Sequence, residues 1–434
     1  MRRGAAVVLC VGLVHAQDET LDLPADLARI VDLPTSKERA RAAEALAKKE
    51  GVTLEELQKA AKEFGEFRQS TPGVHVNAVP LHVEGKVEQT EIHVHIPAAY
   101  DPDTPAPLML ALHGSGGQGA HQLGMWHGVA ERLGMIVLAP TEAGKNVGYG
   151  FKERERRAAL AALRWARRNF NVDENHVFLG GVSRGGHMTW DIALRHPDLF
   201  AALAPMIGGP RLVPGRGQNN LRYLDNVVHL PIRDLQGSGD DPLMLFNLRW
   251  TFKELEKKGA KDAKLIEFPD LGHAFHFQKV PWADWLPGVT RNPRPATVRR
   301  ATAKRDETRS FWIEILRTSG DVKETFRPTV QAKTWNRMDD SEKRLYLHDL
   351  AVKKTATLQV TMKEPGHFVA KSKGVKKFRL LLTPEMFKEG ESVVVRFQGR
   401  EIKRKARPQA KVLLQEFAER FDRTFLPVAS ITVP

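Results

Sequence analysis

Short apolar runs alternate with amphipathic stretches through the middle of the chain. Four runs predict strands: Val87–Ile96, Leu108–Leu112, Gly134–Ala139 and Val177–Gly180. Between them, residues 153–168 place Ala and Leu at helical spacing beside an arginine-rich outer face. Because buried strands that alternate with helices form parallel sheets covered on both sides, residues 76–290 predict an α/β domain with a doubly wound, mostly parallel sheet.

Residues 17–75, before this domain, carry two capping-box sequences. Thr35–Glu38 and Thr53–Glu56 each open a stretch rich in Ala, Leu, Lys and Glu, so we expect two short helices over residues 36–66. We expect these helices to pack on the main domain, and a hairpin that binds a partner is the alternative. The Pro- and Arg-rich residues 291–297 indicate a linker after the domain.

Residues 298–434 predict a small β-rich domain. Strand-like runs recur between turn residues at Ser310–Leu316, Thr357–Val360, Phe378–Leu382, Ser392–Phe397 and Val428–Val433. One helix is expected over residues 409–422.

Composition narrows the class of protein. Of 434 residues 42% are hydrophobic, and no apolar run is long enough to span a bilayer, which excludes a wholly disordered chain and a polytopic membrane protein. Cys10 is the only cysteine, so a disulfide scaffold is excluded. At the N-terminus, Arg2 and Arg3 precede the apolar stretch Ala5–Val14 and a small residue at Ala16; this order predicts a signal peptide over residues 1–16 and a secreted or periplasmic protein.

Basic charge is concentrated in the C-terminal third. The formal net charge is +14, and residues 291–434 hold 32 basic and 17 acidic residues. The default interpretation is a solvated basic surface, and contact with an acidic polysaccharide or the cell envelope is the functional one. Nucleic-acid binding is not predicted, because no aromatic or helix-in-groove features accompany the charge.

The strongest chemical motif is Gly181-Val-Ser183-Arg-Gly185, which joins a strand to a helix-like segment, residues 187–195. A G-x-S-x-G sequence between strand and helix is typical of a nucleophile elbow, in which a tight turn presents the serine at the helix N-terminus. The glycines avoid clashes with neighbouring backbone, and the helix dipole favours negative charge that develops there. The sequence therefore predicts Ser183 as a nucleophile.

A second motif, His113-Gly-Ser-Gly-Gly117, follows the strand Leu108–Leu112 directly. A glycine-rich loop at this point can aim backbone N–H groups at an oxyanion. We expect one donor to be the N–H of Arg184 and the other to be that of Ser115, with Gly116 as the next candidate. A phosphate-binding loop fits less well, because G-x-G-x-x-G is not matched.

The acid and the base are expected after the serine, in the order Ser, Asp, His. Gly237-Ser-Gly-Asp240-Asp241 ends a probable strand, and Gly272-His273 follows another, Lys264–Phe268. His273 is predicted as general base, and Asp240 as the carboxylate that orients it; Asp241, which precedes a proline, is better explained as a helix cap but stays the alternative.

Aromatic and histidine residues elsewhere suggest further roles. Phe275 and Trp282 follow the base and are candidates to line a substrate pocket, with ordinary core packing equally plausible. His93 and His95 share one face of a strand, but no carboxylate or cysteine at ligand spacing joins them, so no metal is predicted and a solvated strand face is preferred.

Residues 88–290 resemble the α/β-hydrolase superfamily, and most closely secreted bacterial esterases of the feruloyl-esterase, polyhydroxybutyrate-depolymerase and dienelactone-hydrolase type. The carrying motifs are Pro97–Tyr100, Pro107–Gly114, Gly181–Gly186, Gly237–Asp240 and Gly272–Phe275. The resemblance implies ester hydrolysis through an acyl-enzyme, with no cofactor. Arg184 departs from the small or aromatic residue frequent at that position in these enzymes, which leaves substrate choice open.

Two other functions compete with an esterase. A serine peptidase of the prolyl-oligopeptidase type shares the fold and triad, but residues 1–87 are too short for its usual propeller domain. A carbohydrate-binding protein on a hydrolase scaffold would be favoured by a missing triad residue, and all three are present in the sequence.

Overall fold

The computed structural model describes residues 22–83, 86–141, 151–211 and 219–434. The predicted signal peptide, residues 1–16, lies outside the described residues. The α-helices are α1 (Leu23–Asp32), α2 (Ser36–Leu46), α3 (Leu54–Lys62), α4 (Gly119–Leu133), α5 (Glu153–Asn169), α6 (Arg184–Arg195), α7 (Pro242–Lys257), α8 (Trp282–Trp285), α9 (Ala332–Trp335), α10 (Asp340–Lys353) and α11 (Ala410–Arg420). Short 3-10 helices cover Pro197–Leu199, Leu221–Val227, Phe277–Lys279, Leu286–Gly288 and Pro384–Met386.

The central sheet of the described residues has eight strands in the order β1-β2-β4-β3-β5-β6-β7-β8. They are β1 (Gly73–Val83), β2 (Lys86–Ile96), β3 (Ala106–Leu112), β4 (Ile136–Pro140), β5 (Val172–Val182), β6 (Ala202–Met206), β7 (Ile232–Gly237) and β8 (Ala263–Phe268). Strands β3 to β8 run parallel, and β2 pairs antiparallel with both β1 and β4. The predicted α/β fold with a doubly wound, mostly parallel sheet is confirmed.

Both faces of the sheet are buried. Along β3, Leu108 and Leu110 belong to the hydrophobic cluster that contains Trp190 of α6, whereas Met109 belongs to the cluster around Trp126 of α4. This alternation follows from the two-residue period of a strand and explains why β3 is an unbroken apolar run. Helices therefore cover both faces and hold the carboxyl ends of the parallel strands at one edge.

The C-terminal part forms two further sheets, as the β-rich prediction requires. One has the strand order β10-β11-β14-β17 and the other β16-β15-β13-β12-β9. The strands are β9 (Thr297–Thr302), β10 (Arg309–Ser310), β11 (Ile313–Thr318), β12 (Ala356–Glu364), β13 (His367–Lys373), β14 (Val375–Leu382), β15 (Ser392–Phe397), β16 (Arg400–Lys405) and β17 (Ala429–Val433). Helix α10 was not predicted; its apolar residues have little helical periodicity, and it exposes much of its surface.

The N-terminal helices pack mainly on α11, near the other end of the chain. Both predicted capping boxes are present, at Thr35 and Thr53. The apolar cluster of α1 to α3 takes in residues of α11, and the rings of Phe64 and Phe417 meet edge to face at 5.4 Å. The prediction that these helices pack on the main domain is therefore wrong for their apolar faces. Their partner is a helix distant in sequence, which the local hydrophobic pattern does not reveal.

Arginines of α5 connect this helical cluster to the central domain. Arg164 donates to the carbonyl of Val31 at 2.6 Å and to that of Ala418 at 2.8 Å. Both carbonyls lie in the last turns of their helices, where backbone acceptors lack partners within the helix. The arginine-rich face of α5, expected to point into solvent, is thus partly covered by helix ends that it caps.

Residues 291–297, predicted as a linker, begin with a buried anchor. The Arg291 side chain is 4% exposed and donates to Asp422 Oδ2 at 2.7 Å, to the carbonyl of Asp198 at 2.8 Å and to Thr424 Oγ1 at 2.7 Å. These partners lie on both sides of the boundary between the central and C-terminal parts. The stretch therefore fastens the two parts together.

Other arginines are buried at the boundary between the central and C-terminal parts. Arg222 donates to Thr355 Oγ1 at 2.7 Å and to the carbonyl of Lys354 at 2.9 Å. Arg300, which is 2% exposed, donates to the carbonyl of Arg195 at 2.7 Å. Part of the excess of basic residues therefore makes buried contacts within the protein. The interpretation of a wholly solvated basic surface does not hold for these residues.

Replacing Arg291 with methionine is expected to destabilise the protein by about 3–5 kcal/mol, because Asp422 would keep a buried charge without its closest cation. Urea unfolding measures the change. The control is Arg305→Met, at an exposed arginine that follows β9, which should stay within about 0.5 kcal/mol of wild type. Adding Asp422→Asn to Arg291→Met should recover part of the loss; equal stability of Arg291→Met and wild type would contradict the anchoring role.

Candidate active site

Ser183 stands on the turn between β5 and α6. Its φ of 56° is positive, which is rare for a residue with a side chain, and its N–H donates to the carbonyl of Met206 at 2.8 Å. A Cβ on Gly181 would lie 2.4 Å from the carbonyl oxygen of Gly185, and a Cβ on Gly185 would lie 2.1 Å from that of Leu112. Only glycine fits at either position, so the motif has the geometry of a nucleophile elbow.

Ser183, His273 and Asp240 form one hydrogen-bonded chain. Nε2 of His273 lies 2.9 Å from Ser183 Oγ, and its Nδ1 lies 2.8 Å from Asp240 Oδ2. The Asp240 side chain is 7% exposed, while that of His273 is 53% exposed. The carboxylate is therefore shielded from solvent, whereas the imidazole is largely exposed. The structure brings together all three residues that the sequence placed in the triad.

The two adjacent aspartates have different partners. Asp241 Oδ1 accepts hydrogen bonds from the N–H groups of Leu243 at 2.8 Å and Met244 at 2.9 Å, which makes it the N-cap of α7. Asp240 instead contacts His273 and accepts from the N–H of Asp241 at 2.7 Å. Asp240 thus has the geometry of the orienting carboxylate.

The glycine-rich loop after β3 lies beside the serine. A Cβ on Gly114 would lie 3.5 Å from that of Ser183, and the exposed Ser115 and Gly116 follow it in the chain. His113 is 2% exposed, and its Nδ1 lies 2.8 Å from the carbonyl oxygen of Gly114. Burial lowers the pKa of His113, so the neutral ring can donate this bond and fix the start of the loop.

A backbone contact after β6, which was not predicted from the sequence, also supports the serine. A Cβ on Gly208 would lie 2.3 Å from the carbonyl oxygen of Ser183, and the N–H of Gly209 donates to His187 Nδ1 at 2.9 Å. The paired glycines directly after the strand Ala202–Met206 were the available signal. They let this segment approach the first turn of α6 closely.

An open cavity of about 520 Å³ adjoins the loop that carries His273. Its lining includes Met125, Phe275 and Phe277. The half-buried Phe275 is therefore in a position to contact a ligand. Trp282 is not: it is 2% exposed, and its indole N–H donates to the carbonyl of Phe277 at 2.9 Å. The prediction of a substrate-contacting Trp282 is wrong in this structure, because the ring supports Phe277 from within the core.

His93 and His95 are buried, at 8% and 3% exposure, and not on a solvated strand face as predicted. His93 Nε2 lies 2.8 Å from Glu91 Oε1, and His95 Nε2 lies 2.7 Å from Glu131 Oε1. Strand β2 is covered on this side by α4, which local alternation in β2 could not show.

Asp234 is a buried carboxyl on β7, six positions before Asp240. It is fully buried, and Oδ2 accepts from the indole of Trp190 at 2.8 Å while Oδ1 accepts from Gln236 Nε2 at 2.6 Å. Burial raises its pKa to about 7. Gln236 Oε1 has no hydrogen-bond partner among the described residues.

This burial predicts a pH-dependent stability. The folded-state pKa of Asp234 lies above the unfolded value of about 3.9, so its contribution to stability is full below pH ~4 and is lost as the pH rises through ~7. When the pH rises from 5 to 8, the free energy of unfolding of wild type should fall by about 2 kcal/mol more than that of Asp234→Asn. Urea unfolding at both pH values tests this, with the exposed Asp306→Asn as control. Parallel losses in all three proteins would refute it.

The chain is similar to known proteins over part of its length. No family model matches the chain. Poly(3-hydroxyalkanoate) depolymerase C of Paucimonas lemoignei is 29% identical over 128 residues, which is 27% of this chain and 30% of that protein. A probable feruloyl esterase C of Aspergillus niger is 25% identical over 186 residues, 41% of this chain and 64% of that protein. The chain thus spans less than two thirds of the length of either curated relative.

Among solved structures, an S-formylglutathione hydrolase of Staphylococcus aureus covers 50% of this chain with 98% of its own, at 17% identity and a TM-score of 0.39. The sheet order and the serine turn between β5 and α6 are features of this chain itself. The chain has an α/β-hydrolase fold, and its predicted resemblance to esterases of that fold is confirmed, at modest identity, over part of its length.

Proposed function

We propose that the protein is a serine hydrolase that cleaves carboxylic esters through an acyl-enzyme intermediate. The observation that carries this proposal is the hydrogen-bonded chain from Asp240 through His273 to Ser183, on a turn between a buried strand and a helix. Such a chain activates a hydroxyl that is a weak nucleophile by itself. The curated relatives named as a depolymerase and a feruloyl esterase support the same reaction class.

In the first step, Ser183 Oγ attacks the ester carbonyl while His273 Nε2 takes the hydroxyl proton. Asp240 keeps Nδ1 protonated and stabilises the imidazolium that forms. The tetrahedral intermediate then collapses, the C–O bond to the alcohol breaks, and His273 returns the proton to the leaving oxygen. A water molecule repeats the sequence on the acyl-enzyme, and the carboxylic acid leaves with Ser183 regenerated.

The negative charge on the carbonyl oxygen needs two fixed donors. We assign them to the backbone N–H of Arg184, at the start of α6, and to that of Ser115, with Gly116 as the alternative. The close approach of Gly114 to Ser183 supports a donor from this loop, and the bond from His113 to the Gly114 carbonyl supports its rigidity. Preorganised donors cost no reorganisation when the charge develops.

The substrate is proposed to be a small-molecule or polysaccharide-linked ester. The cavity beside the His273 loop has a partly apolar wall at Met125, Phe275 and Phe277, which suits an aromatic or short aliphatic group. Phe275 is the residue proposed to contact it.

We also propose that the protein is exported and that its basic C-terminal part contacts an acidic polysaccharide. The order of residues 1–16 supports export to the periplasm or medium. Lys371, Arg396, Lys403 and Lys405 are exposed on β13, β15 and β16, and this exposed charge suits an acidic polysaccharide. In the part of the chain that the structure describes, no helix is both long and apolar enough to cross a bilayer.

The test is hydrolysis of p-nitrophenyl esters from acetate to octanoate and of methyl ferulate, alongside labelling with a fluorophosphonate. We expect turnover, and we expect one equivalent of the phosphonate to abolish it and to be found on the peptide that contains Ser183. The dependence of the rate on acyl chain length then measures the size of the acyl pocket. Folded protein that turns over none of these esters, or turnover that persists after full labelling of Ser183, would reject the proposal.

A further inference from the structure

A cluster of potential metal ligands lies between β2 and α4. His95 is on β2, and His127 and Glu131 are on α4. The two helix residues are four positions apart, so their side chains leave the same face one turn apart. This spacing is visible in the sequence, but the histidine that faces it comes from a different element.

The three side chains are already in contact. His95 Nε2 lies 2.7 Å from Glu131 Oε1, and the rings of His95 and His127 meet edge to face with centroids 4.8 Å apart. One potential ligand atom from each residue lies within 4.8 Å of the other two. His95 is 3% exposed, whereas His127 is open to solvent, so the cluster has a buried floor and an accessible side.

We propose that His95, His127 and Glu131 bind one divalent transition-metal ion, for which zinc is the best match. Two imidazoles and one carboxylate form a ligand set suited to zinc, whereas magnesium and calcium prefer oxygen ligands alone. Water would take the fourth position on the exposed side. The site is separate from the proposed ester hydrolysis and does not depend on it.

The geometry requires a small adjustment. In tetrahedral coordination at about 2.0–2.2 Å, ligand atoms stand about 3.3 Å apart. The exposed His127 must therefore move inward, and the 2.7 Å contact between His95 Nε2 and Glu131 Oε1 must lengthen by about half an ångström. Glu131 is held in place, because its Oε2 accepts from the N–H of Ala98 at 3.1 Å.

The position of the cluster indicates a structural role. His95 pairs with Val137 near the beginning of β4, whereas Ser183 follows the carboxyl end of the parallel strand β5. The cluster therefore lies towards the opposite edge of the sheet from the triad. A metal there would tie α4 to β2 without touching the reacting atoms.

The experiment is calorimetric titration of untagged, EDTA-treated full-length protein with ZnCl₂, followed by Co²⁺ absorption spectroscopy. We expect one zinc per chain, a tetrahedral Co²⁺ band, and a Tm rise of about 2 °C or more at saturation. His127→Ala should weaken zinc binding by about tenfold or more while leaving the His95–Glu131 contact intact. Glu131→Gln, which keeps a hydrogen-bonding side chain, should also weaken it.

The matched control is His367→Ala, because His367 is also exposed and lies 3.3 Å from a glutamate, Glu364, in the C-terminal part. This variant should bind zinc as wild type does. The proposal is overturned if wild type shows no saturable site, if His127→Ala binds as tightly as His367→Ala, or if Glu131→Gln binds as tightly as wild type.

Discussion

Replacing Ser183 with alanine is expected to lower kcat for p-nitrophenyl ester hydrolysis by about 10⁶-fold and to leave Tm within about 1 °C of wild type. The change removes the Oγ that lies 2.9 Å from His273 Nε2 and with it the proposed nucleophile. Stopped assays with purified protein measure the residual rate. Turnover above a few per cent of wild type would assign the chemistry to another group.

A glycine at the same position separates activity from folding. Ser183 has φ of 56°, a conformation that costs a residue with a Cβ about 1 kcal/mol or more and that glycine adopts freely. Ser183→Gly should therefore be as inactive as the alanine variant but should unfold at a higher temperature than it does. If Ser183→Gly had a lower Tm than Ser183→Ala, the positive φ at this position would not be a source of backbone strain.

Replacing Asp240 with asparagine is expected to lower kcat by about 10⁴-fold. The amide can still hydrogen-bond to His273 Nδ1, but it favours the wrong tautomer and does not stabilise the imidazolium. The neighbouring Asp241→Asn is a control that differs by one position. It should retain activity within about threefold, because asparagine caps helices as well as aspartate does.

Measurement of kcat and KM for both variants across pH distinguishes these roles. A loss in kcat for Asp240→Asn at unchanged KM would agree with a group that acts on the base and leaves substrate binding alone. Equal losses in the two variants would mean that the whole loop, and not one carboxylate, orients His273.

The parts of the fold that could be predicted are those specified locally. Strand β3 is an apolar run because both its faces are buried, and Gly181 and Gly185 stand where backbone allows no Cβ, so sequence alone identified them. The order Ser183, Asp240, His273 could be assigned because each follows its own strand. Asp241 could be separated from Asp240 since a proline follows it at the start of a helix.

What could not be predicted depends on partners distant in sequence. In the sequence, Trp282 resembles a pocket residue. In the structure its ring packs against that of Trp126 on α4, with the ring centroids 5.2 Å apart. Arg291 resembles part of a linker until Asp422 is placed beside it. His95 gains a carboxylate neighbour only from another element. In each case the environment of the residue is supplied by an element distant in sequence.

The packing of α1 to α3 on α11 sets an order for folding during synthesis. Ser36 Oγ donates to Glu419 Oε1 at 2.9 Å across 383 positions, and the apolar faces of the first helices are completed by the last one. A ribosome must therefore synthesise the 383 positions between Ser36 and Glu419 before these helices find their partner. Contacts of such long range form slowly, so the first helices stay exposed while the central sheet is made. Chaperones would therefore have long access to the apolar faces of α1 to α3 in the nascent chain.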